Sequence, residues 1–350
     1  MVSVITISRI NHENEIERKL SKTVRSVLEN FNSFSEYILV VSNCTDKKKD
    51  KGDFIKAISK ALPQDSRLKI VKTDCENSNW SSQRNRGIKE AKSDVVVFID
   101  DEMTVEKGSI EELISTLLED ENIAAVCGAV LPEKTKNPIG KSQGILLHPG
   151  GGFSLPKEKT EIKFFHTGFS ALRRNIFLQT PFDESLKWGC EDMDISIRLK
   201  KKNRNLKFFY VPSAVSYHPT RETIREIFHW MRRYGKGRAD IYIRHGERMS
   251  EFFLPKLLGA ILISALFPPI SLPVIIAMYK FYLLKLLKKH KEILRKEKDP
   301  KLVLTMPIVF FVMNIAFDTG RIERIAETII ISRAKKLTEI LKKQSRKNHS

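Results

Sequence analysis

From Val2 to Val130 the chain alternates between two hydrophobic periodicities, and this alternation most narrows the folds open to it. Short apolar runs at Val2–Ser8, Tyr37–Val41, Leu68–Val71, Val95–Ile99 and Ile123–Val130 predict strands. Between them Glu13–Asn30, Asp53–Leu62, Ser81–Lys92 and Ile110–Glu119 carry helical spacing, with Ile16, Leu20, Val24, Val27 and Leu28 on one face of the first. A helical crossover returns the chain to the same end of the sheet, so successive strands pair parallel. The expectation is an α/β fold, Rossmann-like, with a mainly parallel sheet, helices on both faces and a ligand at the carboxyl ends of the strands. Phe164–Leu172 and Lys207–Val211 predict further strands, and Glu191–Lys202 an amphipathic helix. Lys134–Pro156, rich in Gly and Pro, reads as a long mobile loop of the lid or binding type. From Thr220 onward the pattern is helical, and no internal repeat is found.

Two acidic clusters stand out. The apolar run Val95–Ile99 passes directly into Asp100-Asp101-Glu102. In an extended segment residues i and i+2 point the same way, which puts Asp100 and Glu102 on one side and Asp101 on the other. Two oxygen ligands on one side suit Mg²⁺ or Mn²⁺; an acid cluster ahead of the Ile110–Glu119 helix is the plainer alternative. The second cluster, Glu191-Asp192-Met193-Asp194, opens a helix after Trp188-Gly189-Cys190. Acids suit a first helical turn electrostatically, and a general base can also sit there.

The 350 residues suggest about two domains, and 41% hydrophobic content excludes a wholly disordered chain. The net charge of +19 calls for an anionic partner. Its distribution selects a membrane surface over nucleic acid. Lys280–Lys301 carries nine Lys/Arg against three Asp/Glu, Asp318–Ser350 nine against four, and both flank apolar stretches. Cys44, Cys75, Cys127 and Cys190 show no CxxC spacing, which argues against a zinc ribbon or disulfide scaffold and for a reducing compartment. No signal peptide is expected at the N-terminus.

Taken together, several segments resemble the family 2 glycosyltransferases of the GT-A fold. They are Val2–Thr6, Ser82–Ile88, Phe98–Glu102, Gly168–Arg174 with Phe182–Glu184, Glu191–Asp194 with Arg198-Leu199, and Val211–His218. The resemblance covers about 220 residues, with the motifs in the family's order. It implies inverting transfer of a sugar from a nucleotide-diphospho-sugar. Asp192 is implied as base, with Glu191 the second candidate. Donor contacts are implied for Thr6, Ser8, Ser42, Asn43, Arg84, Asn85, Asp100, Asp101 and Arg232. Mg²⁺ or Mn²⁺ is implied on Asp100, Glu102 and His218, and acceptor contacts on Gly168, Trp188 and Gly189. Two departures stand out: Ser42 or Asn43 replaces the acid that usually holds the nucleotide base, and Glu102 replaces the commoner second Asp. The alternatives are a nucleotidyltransferase and a degenerate, non-catalytic basic membrane-binding protein. Ser8-Arg9-Ile10-Asn11-His12 lacks the Gly-rich loop of the former, and the latter leaves the acid clusters without a role.

The expected division is a GT-A catalytic domain over residues 1–220, basic connecting helices over 221–250 and a membrane-associated helical region over 251–350. Leu257–Tyr279 is uncharged and long enough to span a bilayer, but Pro268-Pro269 interrupts it. A re-entrant hairpin, Phe252–Phe267 and Ile270–Leu287, keeps both basic flanks cytoplasmic. Leu302–Phe317 is short for a span and reads as a second re-entrant or an interfacial helix, with the basic tail Arg321–Lys347 on the same leaflet. The placement expected is the cell membrane, catalytic domain on the cytoplasmic side, with a lipid-linked or glycan acceptor, an anionic membrane partner and no nucleic acid.

Overall fold

The computed structural model describes residues 1–12, 14–44, 51–76, 78–147, 156–250, 252–253 and 268–347. They fall into two compact units. The first holds Met1–Lys187, Glu191–Glu222 and His290–Met306; the second holds Trp188–Cys190, Thr223–Lys289 and Pro307–Ser350.

The first unit is built on one mixed sheet. Its strands are β1 (Val2–Ile10), β2 (Glu36–Asn43), β3 (Leu68–Asp74), β4 (Val95–Ile99), β5 (Thr104–Val105), β6 (Ile123–Pro132), β7 (Thr160–Glu161), β8 (Phe169–Arg173) and β9 (Lys207–His218). The spatial order is β3-β2-β1-β4-β8-β6-β9-β5, with β7 also on β9. The β3-β2-β1-β4 half is parallel, as the alternation predicts. The other half departs from it: β8 enters antiparallel between β4 and β6. It follows an irregular segment rather than a full helical crossover, so nothing forces a parallel return.

Both faces of the sheet are covered. Val97, Leu39 and Val41 belong to one apolar cluster, and Ile5, Val40 and Phe98 to the other. That two-sided burial explains the unbroken apolar runs in the sequence. Helix α1 (Lys22–Asn30) is preceded by a π-helical turn, Ile16–Ser21, where the sequence predicts one regular helix. Helices α2 (Lys51–Ala61), α3 (Trp80–Glu90) and α4 (Ser109–Leu118) follow their strands as expected. Asn79 caps α3 by accepting Ser82 N–H, and Gly87 lets this helix close on β1. A Cβ there would lie 2.6 Å from Ile5 Cγ2.

The stretch expected as a mobile loop contains a helix, α5 (Pro138–Leu146). Pro138 occupies its first turn, where no amide partner is lost, and the Asn137 side chain accepts Ile139 and Gly140 N–H. Residues 148–155 of that stretch lie outside the described residues. After α6 (Arg174–Gln179) and α7 (Glu191–Lys202), β9 completes the sheet.

The cysteine reading is corrected. Parallel register pairs Asn43 with Asp74, so the next residues, Cys44 and Cys75, fall side by side and form a disulfide across the ends of β2 and β3. Sequence spacing could not show this, because 31 positions separate them. Cys127 and Cys190 are buried and outside this disulfide.

The second unit contains α8 (Ile224–His245), α9 (Pro268–Lys289) and most of α11 (Leu302–Lys347); α10 (Lys291–Glu297) belongs to the first. Thr223 and Glu226 form a capping box at the start of α8. Helices α8 and α11 pack through two facing glycines. A Cβ on Gly235 would collide with the Phe317 carbonyl, and one on Gly320 with the Arg232 carbonyl. Ion pairs join the same helices: Arg232 and Lys236 to Glu323, Lys236 to Glu327, and Arg324 to Asp240.

Of the hairpin expected over 252–287, the first limb lies largely outside the described residues, whereas the second is helical and begins at Pro268 rather than after it. Leu302–Phe317 is not a short segment: it opens a 46-residue helix. Within that helix Leu302–Ile331 is long and apolar enough to cross a membrane.

Candidate active site

The parallel register brings polar residues to one end of the sheet. Ser8 stands opposite Val41, Arg9 opposite Ser42, and Ser42 opposite Thr73, while β4 delivers Asp100–Glu102 beside them. The residue that organises this end is Arg84 on α3. Its Nη1 donates to Glu191 Oε1 at 2.5 Å and its Nη2 to Asp100 Oδ1 at 3.1 Å. The Arg84 side chain is 4% exposed, so the acids after β4 and those opening α7 are held together by a buried cation. Burial disfavours the Arg84 charge, but Glu191, Asp100 and Asp192 outweigh it and raise its pKa. Sequence reasoning placed Arg84 in the nucleotide site without seeing this bridge.

The acid triplet does not continue the strand. Glu102 has φ +71°, so the alternation expected of an extended segment breaks there and the three carboxylates diverge. Asp100 turns to Arg84, Asp101 accepts Ser8 Oγ–H at 2.5 Å, and Glu102 meets Arg18 at 3.0 Å and Lys19 at 3.7 Å. Burial pushes the Asp101 carboxyl up to about 7, against Lys19 and the Ser8 hydrogen bond. Gly168, just before β8, accepts Asp100 N–H through its carbonyl at 2.8 Å. A Cβ there would lie 3.3 Å from Asp100 Oδ2, so a side chain would crowd that carboxylate.

Asp192 occupies the first turn of α7. Burial, reinforced by Glu191, pushes its carboxyl up to about 7, against the Met193 N–H it accepts and against Arg84. A carboxylate so poised takes a proton readily near neutrality. Glu191 is buried, and Arg84 occupies one of its oxygens. Before it, Gly189 and Cys190 both have left-handed backbones, at φ +100° and +64°. Trp188 and Gly189 group with the second unit, where Lys236 Nζ lies 4.5 Å from the Trp188 ring centroid. Arg232 also belongs to that unit, in a 2.8 Å ion pair with Glu323.

The other donor candidates divide. Thr6 is fully buried and donates to Ile99 O at 2.8 Å, so it braces β1 against β4. Ser42 is likewise buried, bonded to Thr73 Oγ1 at 2.8 Å, to Ser78 and to Gln83 Nε2 at 3.0 Å. Asn43 is half-buried at the end of β2. Asn85 locks the chain after α6 by exchanging hydrogen bonds with the Phe182 backbone, both at 2.9 Å.

His218 ends β9, its Nδ1 2.7 Å from Pro219 O. Burial lowers its pKa despite Glu102 and Asp100 nearby, leaving the neutral imidazole that metal ions prefer. Two carboxylates and a neutral imidazole fit Mg²⁺ or Mn²⁺ in kind. Among the described residues, however, no three such side chains stand together as a metal cluster. Arg84 pairs with Asp100, and Arg18 and Lys19 pair with Glu102.

Sequence reasoning missed His166 as well as Arg18 and Lys19. His166 Nε2 bonds Gly128 O at 3.0 Å, burial holds its pKa down to about 4, and its Nδ1 has no hydrogen-bond partner among the described residues. Its place two residues before Gly168 was the available signal.

A parallel half-sheet, an antiparallel strand inserted after β4, and acids after β4 bridged to acids at a helix start define a GT-A glycosyltransferase domain. Residues 10–180 match the family model described as Glycosyl transferase family 2. It is 35% identical over 159 residues to the O-antigen chain rhamnosyltransferase WbaN of Salmonella anatum, covering 43% of this chain and 49% of that protein. It is 28% identical over 170 residues to the O-antigen chain rhamnosyltransferase RfbN of Salmonella typhimurium, covering 46% and 52%. The chain therefore spans about half the length of the curated relatives it matches. In fold it resembles the mannosyltransferase PcManGT of Pyrobaculum calidifontis, solved with GDP-Man and Mn²⁺. There the TM-score is 0.52 and the identity 15%, over 93% of this chain and 86% of that one.

Proposed function

We propose that this chain moves a sugar from a nucleotide-diphospho-sugar to a hydroxyl of a lipid-linked or glycan acceptor, with inversion at the anomeric carbon. The carrying observation is the Arg84 bridge, which sets the acids of β4 and α7 around one strand end. Asp192 takes the proton of the acceptor hydroxyl as its oxygen bonds to the anomeric carbon. The bond from that carbon to the diphosphate breaks, and the nucleoside diphosphate leaves with the electron pair. Arg84 favours the deprotonated form of Asp192 and holds Glu191 in place. Ser8, Asn43 and Asp101 line the donor side, and Gly168 gives Asp100 room. Asp100, Glu102 and His218 would hold Mg²⁺ or Mn²⁺, whose charge offsets that of the departing diphosphate.

The relatives' O-antigen assignments support a polysaccharide acceptor, and the mannosyltransferase complex supports a nucleotide-sugar donor with a divalent ion. The apolar stretch Leu302–Ile331 supports attachment to a cell membrane. Val303, Leu304, Ile308 and Ile329–Ile331 are exposed on it, an apolar surface for lipid. The net positive charge favours anionic lipid and the cytoplasmic side, where nucleotide sugars are made.

The test is transfer by the detergent-solubilised full chain. It would be offered UDP, GDP and dTDP sugars with Mn²⁺ or Mg²⁺ and a polyprenyl-phosphate-linked or free glycan acceptor. Turnover of one donor that Asp192→Asn lowers by about a thousand-fold, with donor affinity retained, is expected. Equal activity of the variant, or no turnover with any donor, overturns the reading.

A further inference from the structure

Glu102 is held differently from its two neighbours. Asp100 meets a core arginine and Asp101 a serine, but Glu102 meets two cations from the π-helical turn after β1, Arg18 at 3.0 Å and Lys19 at 3.7 Å. Lys19 is not an ordinary surface lysine. Its side chain is 17% exposed, Glu15 flanks it at 3.5 Å, and its charge reaches Asp101. Glu15 is anchored in turn, accepting Asn11 N–H at 2.7 Å and His12 N–H at 3.3 Å. The backbone repeats the link: Glu102 N–H donates to Lys19 O at 3.4 Å, and Glu102 adopts a left-handed φ uncommon for a residue with a Cβ. Lys19 is thus built into this strand end, while Arg18 reaches Glu102 from a side chain that is 64% exposed.

We propose that Arg18 and Lys19 are an exchangeable counter-cation for Glu102. They neutralise its carboxylate while no divalent ion is present, and turn to the donor's diphosphate when Mg²⁺ or Mn²⁺ takes it. The inference rests on the nucleotide-sugar reading above. One carboxylate oxygen does not serve a divalent ion and two organic cations at full strength, because the cations repel one another. Once displaced, the two side chains remain at the carboxyl end of the sheet, where ligands of such folds bind. A diphosphate is the matching chemistry: the guanidinium forks onto two oxygens, and the ammonium serves as a point charge. The neighbouring cations of the same helix are engaged elsewhere. Lys22 pairs with Glu133, and Arg25 donates to Ser21 Oγ at 3.0 Å.

The experiment is calorimetric, on the full chain in detergent. Mn²⁺ is titrated first without nucleotide; UDP, GDP and dTDP are then titrated at saturating Mn²⁺. Arg18→Gln, Lys19→Met and the double variant are compared with Arg25→Gln, which removes one charge from the same helix. The double variant is expected to bind Mn²⁺ roughly five-fold tighter and the preferred nucleoside diphosphate about ten-fold more weakly. Arg25→Gln is expected to change neither. Unchanged or weaker Mn²⁺ binding in a double variant with wild-type circular dichroism overturns the proposal. So does an equal gain in Arg25→Gln, an unaltered nucleotide affinity, or no Mn²⁺ binding by any form. Wild-type sugar transfer with an unmoved Mn²⁺ affinity sinks only the exchange. A tightened Mn²⁺ affinity without turnover of any donor sinks the transferase reading instead.

Discussion

Replacing Arg84 with methionine removes a cation that both acidic clusters share. Its side chain is 4% exposed, and the Glu191 side chain it pairs with is 10% exposed. Breaking a buried pair from one side costs about 3–5 kcal/mol, because the remaining charge stays buried without a partner. For a unit of this size that lowers the melting temperature by about 10 °C. The second effect is chemical. Burial and Glu191 already push the Asp192 carboxyl up to about 7, and Arg84 opposes them. Without the guanidinium the acid form gains further, so the acid limb of the pH–rate profile moves up by about one pH unit or more. A pH unit below the wild-type limb, activity falls a further ten-fold or so, while well above the limb it recovers. Arg84→Lys keeps a charge but loses the fork, so its limb moves less. The assay is sugar transfer from pH 5 to 9 beside thermal unfolding. An acid limb that stays in place in a folded Arg84→Met protein would falsify the role given to this bridge.

Three further outcomes are expected. The unfolded, unreduced chain should titrate two thiols and the reduced chain four; four before reduction would deny the Cys44–Cys75 bond. Cys75→Ser should lower stability by about 3–4 kcal/mol through loop entropy, measured by urea unfolding without reductant, and adding reductant to the variant should change nothing more. His166, with a native pKa of about 4 against 6.5 unfolded, contributes stability that is complete above pH 6.5 and is lost as pH falls toward 4. His166→Asn should therefore flatten the stability curve across that window by up to about 3 kcal/mol, and an unflattened urea midpoint series would refute the burial argument.

The strands and helices were legible where burial leaves a periodic imprint. Val95–Ile99 is apolar at every position because β4 is covered on both faces. Pro138 concealed a helix, because Pro and Gly signal a break unless Asn137 is recognised as its cap. The antiparallel entry of β8 left no local mark, since pairing direction depends on the path before the strand. The site was legible as acidic clusters but not as a geometry. The bond from Arg84 to Glu191 spans 107 positions, and the Cys44–Cys75 bond depends on a register that no single segment carries. Glu102 misled for a local reason. The rule of alternating sides holds within a strand, and β4 ends at Ile99.

The reciprocal glycines of α8 and α11 have a genetic consequence. Gly235 accommodates the Phe317 carbonyl and Gly320 the Arg232 carbonyl, so each helix depends on the bare backbone of the other. In a saturation scan both should be as intolerant as the acids proposed for the active site, and even alanine should fail. No compensating change at the partner position would rescue them, because the obstacle is a main-chain oxygen, which every residue has. Suppressors would instead have to move a whole helix, which makes this crossing one of the slowest parts of the chain to diversify.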